Sequence, residues 1–251
     1  GPFIQQMAAT IRHIIFWTMP AMVLFIVLRA QIVRVVLGAG KFDWSDTRLT
    51  AATLAVFLLS AISQSLILLF VRGYYACGQT KKPLIINVLS SLLTVFLAVG
   101  LLRLFAWWPA ARLGLAQLLR VGDINGVELL VLPLAFTIGS LVNLMVFWRS
   151  FRRDFGSWPP LFYRSVGQST VAALATGGVA YGLLQLLAPV FDQSTFWGIL
   201  NQGWLAGIGG IIAGIFVLRR LNNQEIMEIG RSLRPHFWRR TEPVLPTAEE
   251  L

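Results

Sequence analysis

Residues 51–71 read AATLAVFLLSAISQSLILLFV, a run without one charged side chain, in which Gln64 is the largest polar group. At 1.5 Å per residue, a helix of this length spans about 30 Å, the thickness of a bilayer's hydrocarbon core. Five further apolar runs accompany it, at approximately Ile14 to Leu28, Leu84 to Leu102, Leu129 to Trp148, Val166 to Leu187 and Trp197 to Leu218. No strand-like alternation competes with them, and a helix satisfies its own backbone hydrogen bonds where no water can. The pattern predicts an all-α fold: a polytopic membrane bundle of six transmembrane helices plus interfacial helices. The first run is short, carries Pro20 and ends at Arg29, so its span is expected to borrow Ile11 on one side and an interfacial Ile32 to Leu37 segment on the other.

Composition agrees. Hydrophobic residues make up 56% of the 251 and charged residues 13%, against about 25% charged in an ordinary soluble domain. Lys and Arg outnumber Asp and Glu 21 to 11. Fourteen of the basic residues fall in the amino-terminal segment, the second and fourth loops and the tail, and seven on the opposite side. Both termini are therefore expected to be cytoplasmic, and the basic excess reads as topology that needs no nucleic acid. One cysteine, Cys77, and two distant histidines, His13 and His236, leave no basis for a disulfide, a metal site or a cofactor. All eleven acids lie in loops or tail, which disfavours an ion-coupled mechanism carried by this stretch alone, and no nucleophile has an adjacent base. Gly1-Pro2 in place of an initiator methionine leads to the expectation that the chain is part of a longer protein.

Residues 1–220 are expected to form the bundle, 221–241 a cytoplasmic amphipathic helix and 242–251 a disordered tail. Between the third and fourth spans, Trp107-Trp108-Pro109 opens a segment with Ala111, Leu115, Leu118 and Leu119 on one helical face, as in a helix lying in the outer interface. Gly38-Ala39-Gly40-Lys41 lacks the earlier glycine and the hydroxyl residue of a phosphate loop.

Glycines recur at small-xxx-small spacing: Gly178 and Gly182 in the fifth span, and Gly203, Gly207, Gly210 and Gly214 in the sixth. Such stripes allow close helix packing, here of these two helices on each other or on other spans, or they shape a groove for a lipid chain. Gln64 in the second span, with Asn87, Ser90 and Thr94 on one face of the third, either join helices by hydrogen bonds or line a polar cavity.

Two segments carry a resemblance. Phe42, Asp46 and Thr47 precede the second span; Arg72, Tyr75, Ala76, Thr80 and Pro83 follow it. Together they resemble the GxFxxxDT and RxxYAxxDTxxP segments of the lipid II flippase family (MurJ, or MviN) of the MOP superfamily. The match corresponds to about helices nine to fourteen of that family and weakens after Trp148. The resemblance implies a non-enzymatic carrier in the bacterial cytoplasmic (inner) membrane. By alternating access between two lobes, it would move an undecaprenyl-diphosphate-linked peptidoglycan precursor from the inner to the outer leaflet. It implies a missing amino-terminal lobe holding the cations that bind the headgroup, and a lipid-tail groove in the last two helices, among membrane lipids. There are departures: Gln79 stands for the common Asp, Thr94 and Ala98 replace an Asn and Asp sodium pair found in some members, and the 103–126 loop is long. An exporter of another polyprenyl-linked oligosaccharide, or a membrane interaction module without transport, are the other readings.

Overall fold

The computed structural model describes residues 2–38, 43–124, 126–193, 195–223 and 225–227. Among these the chain forms α1 (Pro2–Val27), α2 (Arg29–Leu37), α3 (Trp44–Ala76), α4 (Lys81–Trp107), α5 (Pro109–Leu118), a 3₁₀ turn (Val127–Leu130), α6 (Val131–Phe155), α7 (Pro160–Leu187) and α8 (Phe196–Arg220). Six of the helices are long and apolar enough to cross a membrane, α6 counting with the 3₁₀ turn before it, and each expected run falls in one of them, the first except for its last residue, Leu28. The expected tail helix at 221–241 and the disordered end at 242–251 lie outside the described residues, apart from 221–223 and a helical turn at 225–227.

The helices outrun the apolar segments because their ends are built to continue. α1 passes through Pro20 unbroken and starts twelve residues before the apolar run at Ile14, burying Met7, Ala8, Ile11 and Ile15. A single residue, Leu28, separates it from α2. α3 opens on a capping box: the Asp43 carboxylate accepts from the Asp46 N–H at 2.9 Å, and Asp46 accepts from the Asp43 N–H at 3.2 Å. Hydrogen bonds from the Ser45 hydroxyl and the Asp46 N–H hold the Asp43 carboxyl below the usual carboxylate range. At its far end α3 stops on Gly78, whose φ of +72° suits a residue without Cβ; the Gly78 and Gln79 N–H groups turn back to the Tyr75 and Tyr74 carbonyls.

An aromatic core fills the end of the bundle that holds the amino terminus, where Phe70, Tyr74, Phe147, Phe151, Trp158 and Phe162 are all buried. Gly73 lets α1 in close, since a Cβ there would sit 2.9 Å from Met7 Cε. Just outside this core the Tyr74 hydroxyl donates to Asp154 at 2.9 Å, and Lys82 pairs with the same carboxylate. α4 stands apart, packed along α6 with its outer face open.

On α5 the residue that turns inward is Ala116, which joins buried Val121, Ala52, Val127 and Leu130, with Leu115 and Leu119 at its edge; Leu118 is 78% exposed. The left-handed residue Arg120 (φ 59°) folds the chain back after α5, and Arg48 clamps the turn by donating two hydrogen bonds to Asp123 at 2.7 and 2.8 Å. Glu225 follows the last span, as expected of a tail residue, and is buried there, 1% exposed. The charge imbalance is sharper than basic residues alone suggest. Among described residues the amino-terminal end carries ten Lys and Arg against Asp154 and Glu225, whereas the other end sets six against Asp43, Asp46, Asp123, Glu128 and Asp192.

Candidate functional site: a polar cleft and an apolar groove

The first cavity, about 460 Å³, opens between α3, α4 and α6. Gln64, Asn87, Ser90 and Thr94 line it, joined by Ser91, Ser140 and Asn143, which come from the same face of α4 and from α6. The amide of Gln64 donates to the Ser140 hydroxyl at 2.8 Å and that of Asn143 to Asn87 Oδ1 at 3.1 Å. Thr137 fastens α6 to α3 from behind through a buried bond to the Val56 carbonyl at 2.8 Å. Gly139 is the residue that lets α4 close on α6, because a Cβ there would collide with Thr94 Oγ1. Gln64 itself is exposed toward the cleft. The described lining carries no charge, so it offers amide and hydroxyl partners and no counter-ion for a phosphate.

The second cavity, about 450 Å³, is a groove with α1–α2 as one wall and α8 as the other. Leu24, Leu28, Ile32 and Val35 face Ile199, Gly203, Gly207 and Ile211 across it, and Gln31 is its polar exception. Leu24, Leu28, Ile32 and Val35 recur at four- and three-residue steps, so the segments on both sides of Leu28 present one face to the groove. Its floor is close at the glycines: a Cβ on Gly203 would lie 3.2 Å from Gln31 Cβ, and one on Gly207 3.3 Å from Leu28 Cδ1.

The glycines predicted together thus divide three ways. Gly203 and Gly207 line the groove, whereas Gly210 and Gly214 face α7, where a Cβ on Gly210 would lie 2.8 Å from the Thr176 carbonyl oxygen and one on Gly214 would strike the Thr176 hydroxyl. Gly178 and Gly182 pack on nothing: a Cβ at either would have no atom within 4 Å among the described residues. The groove seen here lies between α8 and α1–α2, while α7 packs closely along α8. The signal available for the α1–α2 wall was the unusual first span itself, which carries Pro20 and ends at Arg29.

The motif residues are distributed by structural role. Asp46 and Thr47 cap α3, Thr47 through its hydroxyl to the Asp43 carbonyl at 2.9 Å; Phe42 lies outside the described residues. Arg72, Tyr75, Ala76 and Thr80 are exposed around the turn that ends α3, and Pro83 is buried at the start of α4. Between them, Gly73 and Tyr74 are the buried pair, unmarked in the sequence reading. Among the described residues no three His, Cys, Asp or Glu side chains meet as a metal site would require.

Fold and cavities together define a polytopic helical membrane protein with a polar cleft on one side of its bundle and an apolar groove on the other. The sequence profile described as "Lipid II flippase MurJ" matches residues 2–200, and the chain belongs to that family. A "Probable lipid II flippase MurJ" from Rhizobium tropici is 30% identical over 122 residues, which cover 49% of this chain and 22% of that protein. A solved structure, "Lipid II flippase MurJ, inward closed conformation", superposes with a TM-score of 0.62 at 20% identity, over 87% of this chain and 40% of the other. That likeness bears on the fold. The chain spans about a fifth of the curated relative and two fifths of the solved structure it matches.

Proposed function

We propose that this chain is the carboxy-terminal lobe of a lipid II flippase, non-enzymatic, whose groove holds part of the undecaprenyl tail while the polar cleft faces the headgroup's sugars and peptide. The observation that carries this reading is the presence in one six-span bundle of an uncharged polar cleft and an almost wholly apolar groove. An amphiphile with a long hydrocarbon chain and an amide- and hydroxyl-rich head needs both surfaces at membrane depth. The diphosphate needs cations, which the cleft lacks, so its counter-charges belong to the partner lobe. In the proposed orientation both ends of the described chain face the cytoplasm, where ten basic residues meet anionic lipid, and the groove opens in the outer half of the bilayer of the bacterial inner membrane.

The test is complementation of a flippase-depleted bacterium with the full-length protein, reading lipid II exposed on the outer leaflet. Restored exposure is expected, and Gly207→Leu, which fills the groove beside Leu28, should reduce it severalfold at unchanged membrane level. A folded full-length protein that restores nothing would overturn the reading.

A further inference from the structure

Glu225 is the acidic side chain that is buried among the described residues, and it stands in the first helical turn beyond α8. Its partners come from three elements. Arg12 of α1, with 13% of its side chain exposed, brings Nε to 3.2 Å from Glu225 Oε1, a charge contact in which neither Arg12 Nε nor Glu225 Oε2 finds a hydrogen-bond partner among the described residues. Ser165 of α7 donates its hydroxyl to that oxygen at 2.9 Å. Asn223, fully buried, accepts from the N–H groups of Glu225 and Ile226 at 3.1 and 3.4 Å and donates to Gln168 of α7 at 3.0 Å. Gln168 in turn donates to the Leu221 carbonyl at 2.8 Å. Ile226 packs against the cluster of Phe16, Ala172 and Leu218.

A carboxylate out of water needs a counter-charge and hydrogen bonds, and Arg12 and Ser165 supply them through one oxygen, so loss of either partner leaves the buried charge poorly compensated. Its position matters because of what it joins. α1 and α8 touch little directly, and each packs mainly on α7. The Glu225 contact closes the triangle of α1, α7 and α8 at the amino-terminal end, while the groove between α1–α2 and α8 opens toward the other. From Arg12 to Leu28 the helix rises roughly 24 Å, so a tilt of about 10° at the contact moves the groove wall by roughly 4 Å.

We infer that Arg12, Ser165 and Glu225 form a latch that sets the separation of the groove walls, acting as positioning residues for the chain the groove holds. The last clause rests on the lipid-tail reading above; the geometric part stands without it. The experiment uses the full-length protein in nanodiscs, cysteine-free apart from spin labels placed at Phe25 and Trp204, which are exposed and line opposite walls. The distance distribution between the labels is compared for the parent, Glu225→Gln, Ser165→Ala and the reversed pair Arg12→Glu with Glu225→Arg, each also assayed for lipid II transport. Glu225→Gln and Ser165→Ala should shift or broaden the distribution by roughly 3–4 Å, the lever estimated from the helix rise, and the reversed pair should return it toward the parent. Transport should fall severalfold in the first two and recover in the third. An unchanged distribution in folded Glu225→Gln would overturn the latch; should that variant not fold, an unchanged Ser165→Ala does the same. A shifted distribution with parental transport supports the latch and overturns the lipid-tail reading.

Discussion

Gly210 on α8 and Gly178 on α7 meet different surroundings, which makes opposite predictions for the same kind of change. Gly210→Ala forces a methyl group against the Thr176 carbonyl, an atom held in helical backbone. Overpacking of this sort costs about 1–3 kcal/mol, read as a lower thermal midpoint for the full-length protein in detergent. Gly178→Ala meets open space, so only helix propensity changes, and a stabilisation of up to about 1 kcal/mol is expected in the same assay. The spacing of the glycines was legible in the sequence. Which neighbour each one meets was not, because spacing along one helix does not encode what lies across from it. The polar residues read better: Asn87, Ser90 and Thr94 share a face by helical geometry alone, and that face is the cleft wall. Ser140 and Asn143 completed the wall from α6, a pairing that depends on how α4 packs on α6.

At the scale of elements, the six spans were evident from apolar length, and their true ends were not, because caps such as Asp43 with Asp46 and the turn at Gly78 lie outside the apolar pattern. On α5, Leu118 of the apolar stripe faces outward while Ala116 turns inward, and the chain reverses at Arg120, a packing that the stripe alone does not encode. The clamp that holds this reversal is sensitive to acid. Hydrogen bonding to Arg48 keeps the Asp123 carboxyl below its ordinary range, so the bonus from ionisation is present above the unfolded value near 4 and is lost as pH falls through the lowered folded value. Amide hydrogen exchange over residues 116–124, corrected for intrinsic rates, should therefore speed up severalfold in that acidic window. Asp123→Asn should exchange faster at neutral pH and lose the dependence.

For the whole molecule, the structure makes both orientation and ligand position directly testable. Cys77 is exposed beside the turn that ends α3, at the amino-terminal end of the bundle. In full-length protein with Cys77 as its one cysteine, an impermeant maleimide should label it only after spheroplasts are permeabilised; labelling of intact spheroplasts would reverse the proposed topology. The central claim concerns where the lipid lies. Lipid II carrying a photoreactive diazirine on its undecaprenyl tail, bound to the full-length protein and irradiated, should attach to the groove walls, around Phe25, Leu28, Trp204 and Ile208, and Gly207→Leu should suppress the adducts. Adducts confined to the outer face of α4 or to the polar cleft, with the groove unlabelled, would contradict the account.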